Sequence, residues 1–189
     1  MALGITTRPA ACVALCAALT SLPAAGSMDS GELCRRAIAR AETAQGIPNG
    51  LLLALGHTET GIQGVVWPWS LNIDGRPRRY LDRRSAVAAL TDAVARGTRN
   101  IDAGCLQLNM RWAGRGMSPQ DLLDPDENVR AGAAWLKDLY LKSGGSWTDA
   151  VARYHSGRPA RGWRYVCRVH AHWTRIRFGE ARRGEGCPE

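Results

Sequence analysis

A single Phe, Phe178, and only two Lys, Lys137 and Lys142, stand in a chain that carries 25 basic residues in all, so its positive charge is almost wholly arginine. No Cys-x-x-Cys pair occurs, and the four His (57, 155, 170 and 172) do not sit with the cysteines, which removes the usual zinc spacings. His57-Thr58-Glu59 has the His-x-Glu spacing of zinc deaminases, but the Pro-Cys-x-x-Cys partner is missing and the match is a coincidence. Despite 21 Gly, neither a phosphate-cradling Gly-x-x-x-x-Gly-Lys run nor a dinucleotide fingerprint appears. No cofactor or metal is expected. No apolar run reaches the roughly 20 residues that a membrane span needs, so no stable membrane anchor is expected.

What is present describes a folded domain. With 189 residues, 45% hydrophobic and 22% charged, the chain is long enough for one buried core and has the balance of a globular protein. A net charge of +8 favours an anionic partner: nucleic acid, a lipid surface, or a carboxylate-rich polymer such as a bacterial cell wall. Seven Trp are unusual beside one Phe. Most are expected in the core, although Trp also stacks well on sugar rings and bases.

Arg8 precedes the apolar run 9–19, and small residues follow at Ala24-Ala25-Gly26-Ser27, the outline of a secretory signal peptide over 1–26. The mature domain is then expected over 27–178, with a basic tail over 179–189, in the periplasm or secreted. Removing the leader discards Cys12 and Cys16 and leaves Cys34, Cys105, Cys167 and Cys187 in a chain exposed to oxidation. Four cysteines allow three pairings. Cys34 with Cys105 and Cys167 with Cys187 is the expected set, the first tying the N-terminal helix to the central motif and the second pinning the tail.

Apolar periodicity predicts a mainly α-helical protein. Helices are expected from Ser30 to Gly46, from Pro48 to Gly61, and over about 84–96, 104–112, 126–142, 147–155 and 160–177. One short β-hairpin is expected between Gly64 and Tyr80, turning at Asp74-Gly75. The arginines between Arg161 and Arg183 read as a solvated helix face and a loose tail. In the second helix Glu59 falls four residues after Leu55 and eight after Leu51, so its carboxyl lies on the apolar face. Burial there disfavours the charged form and suits a general acid.

Three blocks in order resemble the lytic transglycosylases of the soluble-lysozyme-like (SLT) family, small secreted type. They are Ile47-Pro48-x-x-Leu51-Leu52-x-Ala54 leading to Glu59, then Gly104-Cys105-Leu106-Gln107-Leu108-Asn109, then Ala150 to Gly157. A fourth, weaker match runs from Asp124-Pro125 through Asn128 to Leu136. The resemblance implies a lysozyme-like helical domain that cleaves the β-1,4 bond between N-acetylmuramic acid and N-acetylglucosamine in peptidoglycan. It implies Glu59 as the catalytic acid, with Thr60, Gln107, Asn109 and Tyr154 as substrate-binding residues, and a 1,6-anhydro product made without water or metal. Peptidoglycan glycan strands are the implied partner, with a secretion or conjugation apparatus as a further one. The family usually has Ser where Thr60 stands, an apolar residue at Cys105 and Asn at His155.

Three other readings compete. Asp74 or Asp102 could serve as a second carboxylate and make the chain a muramidase, although a turn and a helix cap are the simpler uses of these two. A non-catalytic wall-binding module keeps the fold without the chemistry. A basic nucleic-acid-binding protein would use the arginines and Trp, but a signal peptide argues against it and no nucleic acid is expected.

Overall fold

The computed structural model describes Met1 and residues 30–187. The expected leader beyond Met1, with Cys12 and Cys16, lies outside the described residues, as do residues 188–189. The described chain is mainly α-helical and lysozyme-like, with seven helices and a small antiparallel strand set: α1 (Ser30–Gln45), α2 (Leu51–Thr60), α3 (Arg83–Ala95), α4 (Pro119–Leu122), α5 (Pro125–Lys142), α6 (Trp147–His155) and α7 (Pro159–Phe178). The strands are β1 (Gly61–Ile62), β2 (Val65–Val66), β3 (Ser70–Ile73), β4 (Arg76–Arg79), β5 (Ile101–Ala103) and β6 (Leu108–Asn109).

Helix α2 is apolar on nearly all sides, with Leu51, Leu52, Ala54, Leu55 and Gly56 buried, and it packs against α1 and α7. An all-apolar helix can sit only in the interior. Its N-terminus has no side-chain cap of its own, since the cap position is Gly50. Glu42 of α1 supplies the acceptors instead: its buried carboxylate takes hydrogen bonds from the backbone N–H groups of Gly50, Leu52 and Leu53 at 2.9, 2.8 and 3.2 Å. A negative group there also meets the positive end of the helix dipole. Pro48 lies three residues ahead of α2 rather than opening it.

The Asp74-Gly75 hairpin forms as expected, with both residues at positive φ (49° and 81°) and Ser70–Ile73 paired to Arg76–Arg79. It belongs to a larger sheet in the order β4-β3-β5-β6, and β1 and β2 make a second, two-stranded sheet. The expected helix over 104–112 does not form. Gly104 (φ 82°) and Gln107 (φ 46°) both adopt left-handed backbone, which breaks a right-handed helix, so the segment turns tightly between β5 and β6. Asp102 is accordingly a strand residue and not a helix cap.

Helix α5 starts at the Asp124-Pro125 cap, where the Asp124 carboxylate accepts from the N–H groups of Asp126 and Glu127. It packs against α1 and α6. Fully buried Asn128 on α5 accepts from Leu106 N–H (3.0 Å) and donates to the carbonyls of Ala103 and Leu122 (2.9 Å each), stapling the 103–106 turn to the helical core. A Cβ on Gly104 would stand 2.2 Å from the Asn128 side chain, so only glycine fits.

Both expected disulfides are present, Cys34–Cys105 and Cys167–Cys187. The second holds residues 180–187 against α7, where Thr174 Oγ1 accepts from Arg182 N–H and Trp163 Nε1 donates to Gly186 O. The segment is therefore docked and not loose. The tryptophans also differ from expectation: none is fully buried, Trp69, Trp135, Trp147 and Trp173 only edge the core, and Trp112 and Trp163 are exposed.

Candidate active site

Glu59 lies in the last turn of α2, where the helix carries it from the interior to the floor of a cavity of about 730 Å³. Gln107, Asn109 and Tyr154 line the same cavity, so the three sequence blocks that are far apart in the chain meet in space. Thr60 does not join them. It is buried, its hydroxyl directed to the carbonyls of Gly56 (3.3 Å) and Cys105 (3.1 Å), and it locks α2 to the disulfide-bearing turn.

The Glu59 carboxyl receives one direct hydrogen bond, from the Tyr165 hydroxyl on α7 to Oε1 at 2.5 Å. Burial pushes its pKa up to about 7. The Tyr165 hydrogen bond works against that rise, the charge of Asp102 adds to it, and Arg168 opposes it. Tyr165 was not visible as a site residue in the sequence, because one Tyr on the inner face of an amphipathic helix reads as core. Burial likewise raises the phenols of Tyr154 and Tyr165 well above their ordinary range, with the neighbouring Glu59 adding to it, so both remain neutral donors.

The sheet builds the opposite wall through its register. Asn72 on β3 pairs with Asp102 on β5, which pairs with Asn109 on β6, so three side chains stand in one row across three strands. Side chains directly opposite in neighbouring strands share a face. Asn109 donates to Asp102 Oδ1 (2.7 Å) and Asn72 donates to Oδ2 (3.1 Å), engaging both carboxylate oxygens. Burial nonetheless raises the Asp102 pKa, against those two hydrogen bonds and the charge of His155. Asn72 Oδ1 is buried without a hydrogen-bond partner among the described residues. Asp74 faces a different hollow beside β4.

Gln107 is held by its own turn: Nε2 donates to the carbonyls of Ser70 and Gly104, both at 3.1 Å. Tyr154 donates to Leu106 O at 2.9 Å. These bonds fix the two side chains in the wall. Trp112 lines the cavity at 69% exposure, a flat platform of the kind on which a sugar ring stacks. His155, where the resemblance predicts Asn, lies at the cavity rim with its ring stacked on Tyr165 (centroids 4.5 Å apart, planes within 3°). The composition pointed to Trp as a class but could not single out Trp112, and Asn72 carried no signal outside the strand register.

Among the described residues no group of three or more His, Cys, Asp and Glu is arranged to hold a metal ion. A family model, that of the transglycosylase SLT domain, matches residues 36–166, which is more than half of the chain. Neither the curated proteins nor the solved structures yield a match.

Proposed function

The chain belongs to the transglycosylase SLT domain family, and from that premise we propose that it cleaves the β-1,4 bond between N-acetylmuramic acid and N-acetylglucosamine with Glu59 as its single essential acid, leaving a 1,6-anhydro muramoyl end. The observation that carries this reading is the Glu59 carboxyl, raised to about 7 by burial and directed into the cavity. A carboxyl with that pKa is about half protonated near neutral pH, so the acid form is available to begin a turnover.

Tyr165 occupies Oε1, which leaves Oε2 to carry the proton. That proton passes to the bridging oxygen as the bond from muramoyl C1 breaks, and the N-acetylglucosamine 4-hydroxyl departs. The acetamide oxygen of the muramoyl residue supports the positive charge developing at C1. The 6-hydroxyl oxygen of the same sugar then bonds to C1 and gives its proton to the Glu59 carboxylate. The acid is restored, and no water is consumed. The buried Tyr165 donor stabilises the carboxylate at the moment it is ionised. Gln107 and Trp112 supply an acceptor and an apolar face for the sugars.

Asp102 favours a second reading, because it shares the cavity with Glu59 and could activate water as in an inverting muramidase. Both of its oxygens are engaged by asparagine amides, which suits a wall-building role better than a free base. Digestion of purified peptidoglycan followed by mass measurement tests the two. The expected result is muropeptide ends one water lighter than hydrolytic ends, loss of lysis in Glu59→Gln, and unchanged product masses in Asp102→Asn. Reducing ends, with loss of lysis in a folded Asp102→Asn, would establish the hydrolase. Retained lysis in Glu59→Gln would remove Glu59 from the chemistry.

The reading carries with it a site of action outside the cytoplasm, periplasmic or released, where disulfides persist. Work beside a secretion or conjugation apparatus fits the same location. No helix among the described residues is long and apolar enough to cross a membrane.

A further inference from the structure

A second cavity, of about 670 Å³, adjoins the first, with His155 on the boundary of both and Tyr165 in its wall. Its rim carries Arg161, Arg164 and Arg168 from α7 and Arg182 and Arg183 from the segment that follows, and among the described residues no acidic one lines it. Of these arginines, Arg182 pairs with Glu180. Arg161, Arg164 and Arg168 form no ion pair among the described residues. The site is also built: the segment carrying Arg182 and Arg183 is cross-linked to α7 by Cys167–Cys187, and both cysteines lie in the cavity wall. Arg161, Arg164 and Arg168 bring three like charges to one hollow, and a wall fixed by a covalent bond suits an anion that neutralises them.

We infer that this cavity binds the carboxylates of the peptide carried by the muramoyl residue. The inference rests on the peptidoglycan reading of Glu59 and extends it to the peptide part of the substrate. The chemistry of the strand favours that ligand. The peptide is joined through the lactyl group to the very sugar whose C1 is attacked, so it begins within one ring of the Glu59 carboxyl. Tyr165 bridges the two places, donating to Glu59 on one side and lining the arginine cavity on the other. Arg161 and Arg164 line this cavity and not the one that holds Glu59, and neither is among the groups that shift the Glu59 carboxyl.

The test compares intact peptidoglycan, freed beforehand of attached phosphate polymers, with glycan strands from which an amidase has removed the peptides. Arg161→Gln/Arg164→Gln is expected to lower kcat/KM on the peptide-bearing substrate about ten-fold or more, the loss of at least one charge-assisted hydrogen bond, while cleavage of peptide-free strands stays unchanged. Arg84→Gln/Arg99→Gln removes the same charge away from both cavities and is expected to leave both substrates unaffected. Equal losses on the two substrates, no loss on either, or the same loss from Arg84→Gln/Arg99→Gln would overturn the inference. A loss that appears only when phosphate polymers are left on the wall assigns the cavity to phosphate and overturns it as well. Failure of the wild-type protein to cleave either substrate would instead sink the peptidoglycan reading on which it rests.

Discussion

At the scale of single residues, the protonation state of Glu59 sets the expected pH behaviour. The active form carries the proton, and the group titrates at about 7, so kcat/KM is expected to fall as pH rises through that value. Because the same carboxylate later takes the 6-hydroxyl proton, no second titrating base is required and the profile should be one-sided. A bell with an acid limb at the titration of a second carboxylate would point to Asp102 and the hydrolytic route. Tyr165→Phe removes the hydrogen bond that lowers the Glu59 pKa. Its alkaline limb is therefore expected at higher pH than in the wild type, beside a reduced kcat from the lost donor to the ionised acid. Limbs that coincide would show that the Tyr165 bond does not set the titration. The inward placement of Glu59 was legible from its spacing to Leu51 and Leu55, since a regular helix repeats its face every three to four residues. The Tyr165 partner was not, because the two residues are 106 positions apart and nothing local marks the pairing.

At the scale of elements, the position of Glu59 depends on how α2 is fastened at its other end. Glu42→Ala strands three backbone N–H groups and is expected to cost about 2 to 3 kcal/mol, above an ordinary cap loss because the acceptor is a buried carboxylate. Glu42→Gln keeps one acceptor oxygen and should lose less. Denaturant midpoints for the two variants check the order, and equal losses would show that the charge rather than the number of acceptors matters. Helices α3, α5, α6 and α7 were legible to within a residue or two, helped at α5 by its Asp124-Pro125 signal. The 104–112 segment was not. Its apolar positions are compatible with a helix, but two left-handed residues and the Asn128 staple fold it as a turn beside the sheet. The larger sheet was also hidden, because strands of two or three residues are too short to show an alternating pattern.

At the scale of the whole molecule, Cys34–Cys105 joins α1 to the turn that presents Gln107, across 71 residues of chain. Cys34→Ala/Cys105→Ala is expected to lower stability by about 2 to 5 kcal/mol, the usual cost of losing a native bridge. Activity should fall further than the folded fraction alone accounts for, because Thr60 bonds to Cys105 O, so a loosened turn also loosens the end of α2 that carries Glu59. Thermal melts and lysis rates measured on the same samples check this, and activity that tracks the folded fraction would limit the bridge to a role in stability.

The sequence alone determined the mainly helical class, the inward carboxyl at Glu59 and the four blocks that carry the family resemblance, because each is a local pattern of spacing and residue type. The tertiary structure decided what those residues do for one another. It took Thr60 out of the cavity, turned Asp102 from a helix cap into the centre of a row with Asn72 and Asn109, brought Tyr165 to Glu59, and gathered the arginines of α7 and the following segment around a second hollow. These relations follow from strand register, helix packing and a cross-link between distant parts of the chain. Contacts of that kind have no signature in any single stretch of sequence, since each depends on where the rest of the chain places the partner.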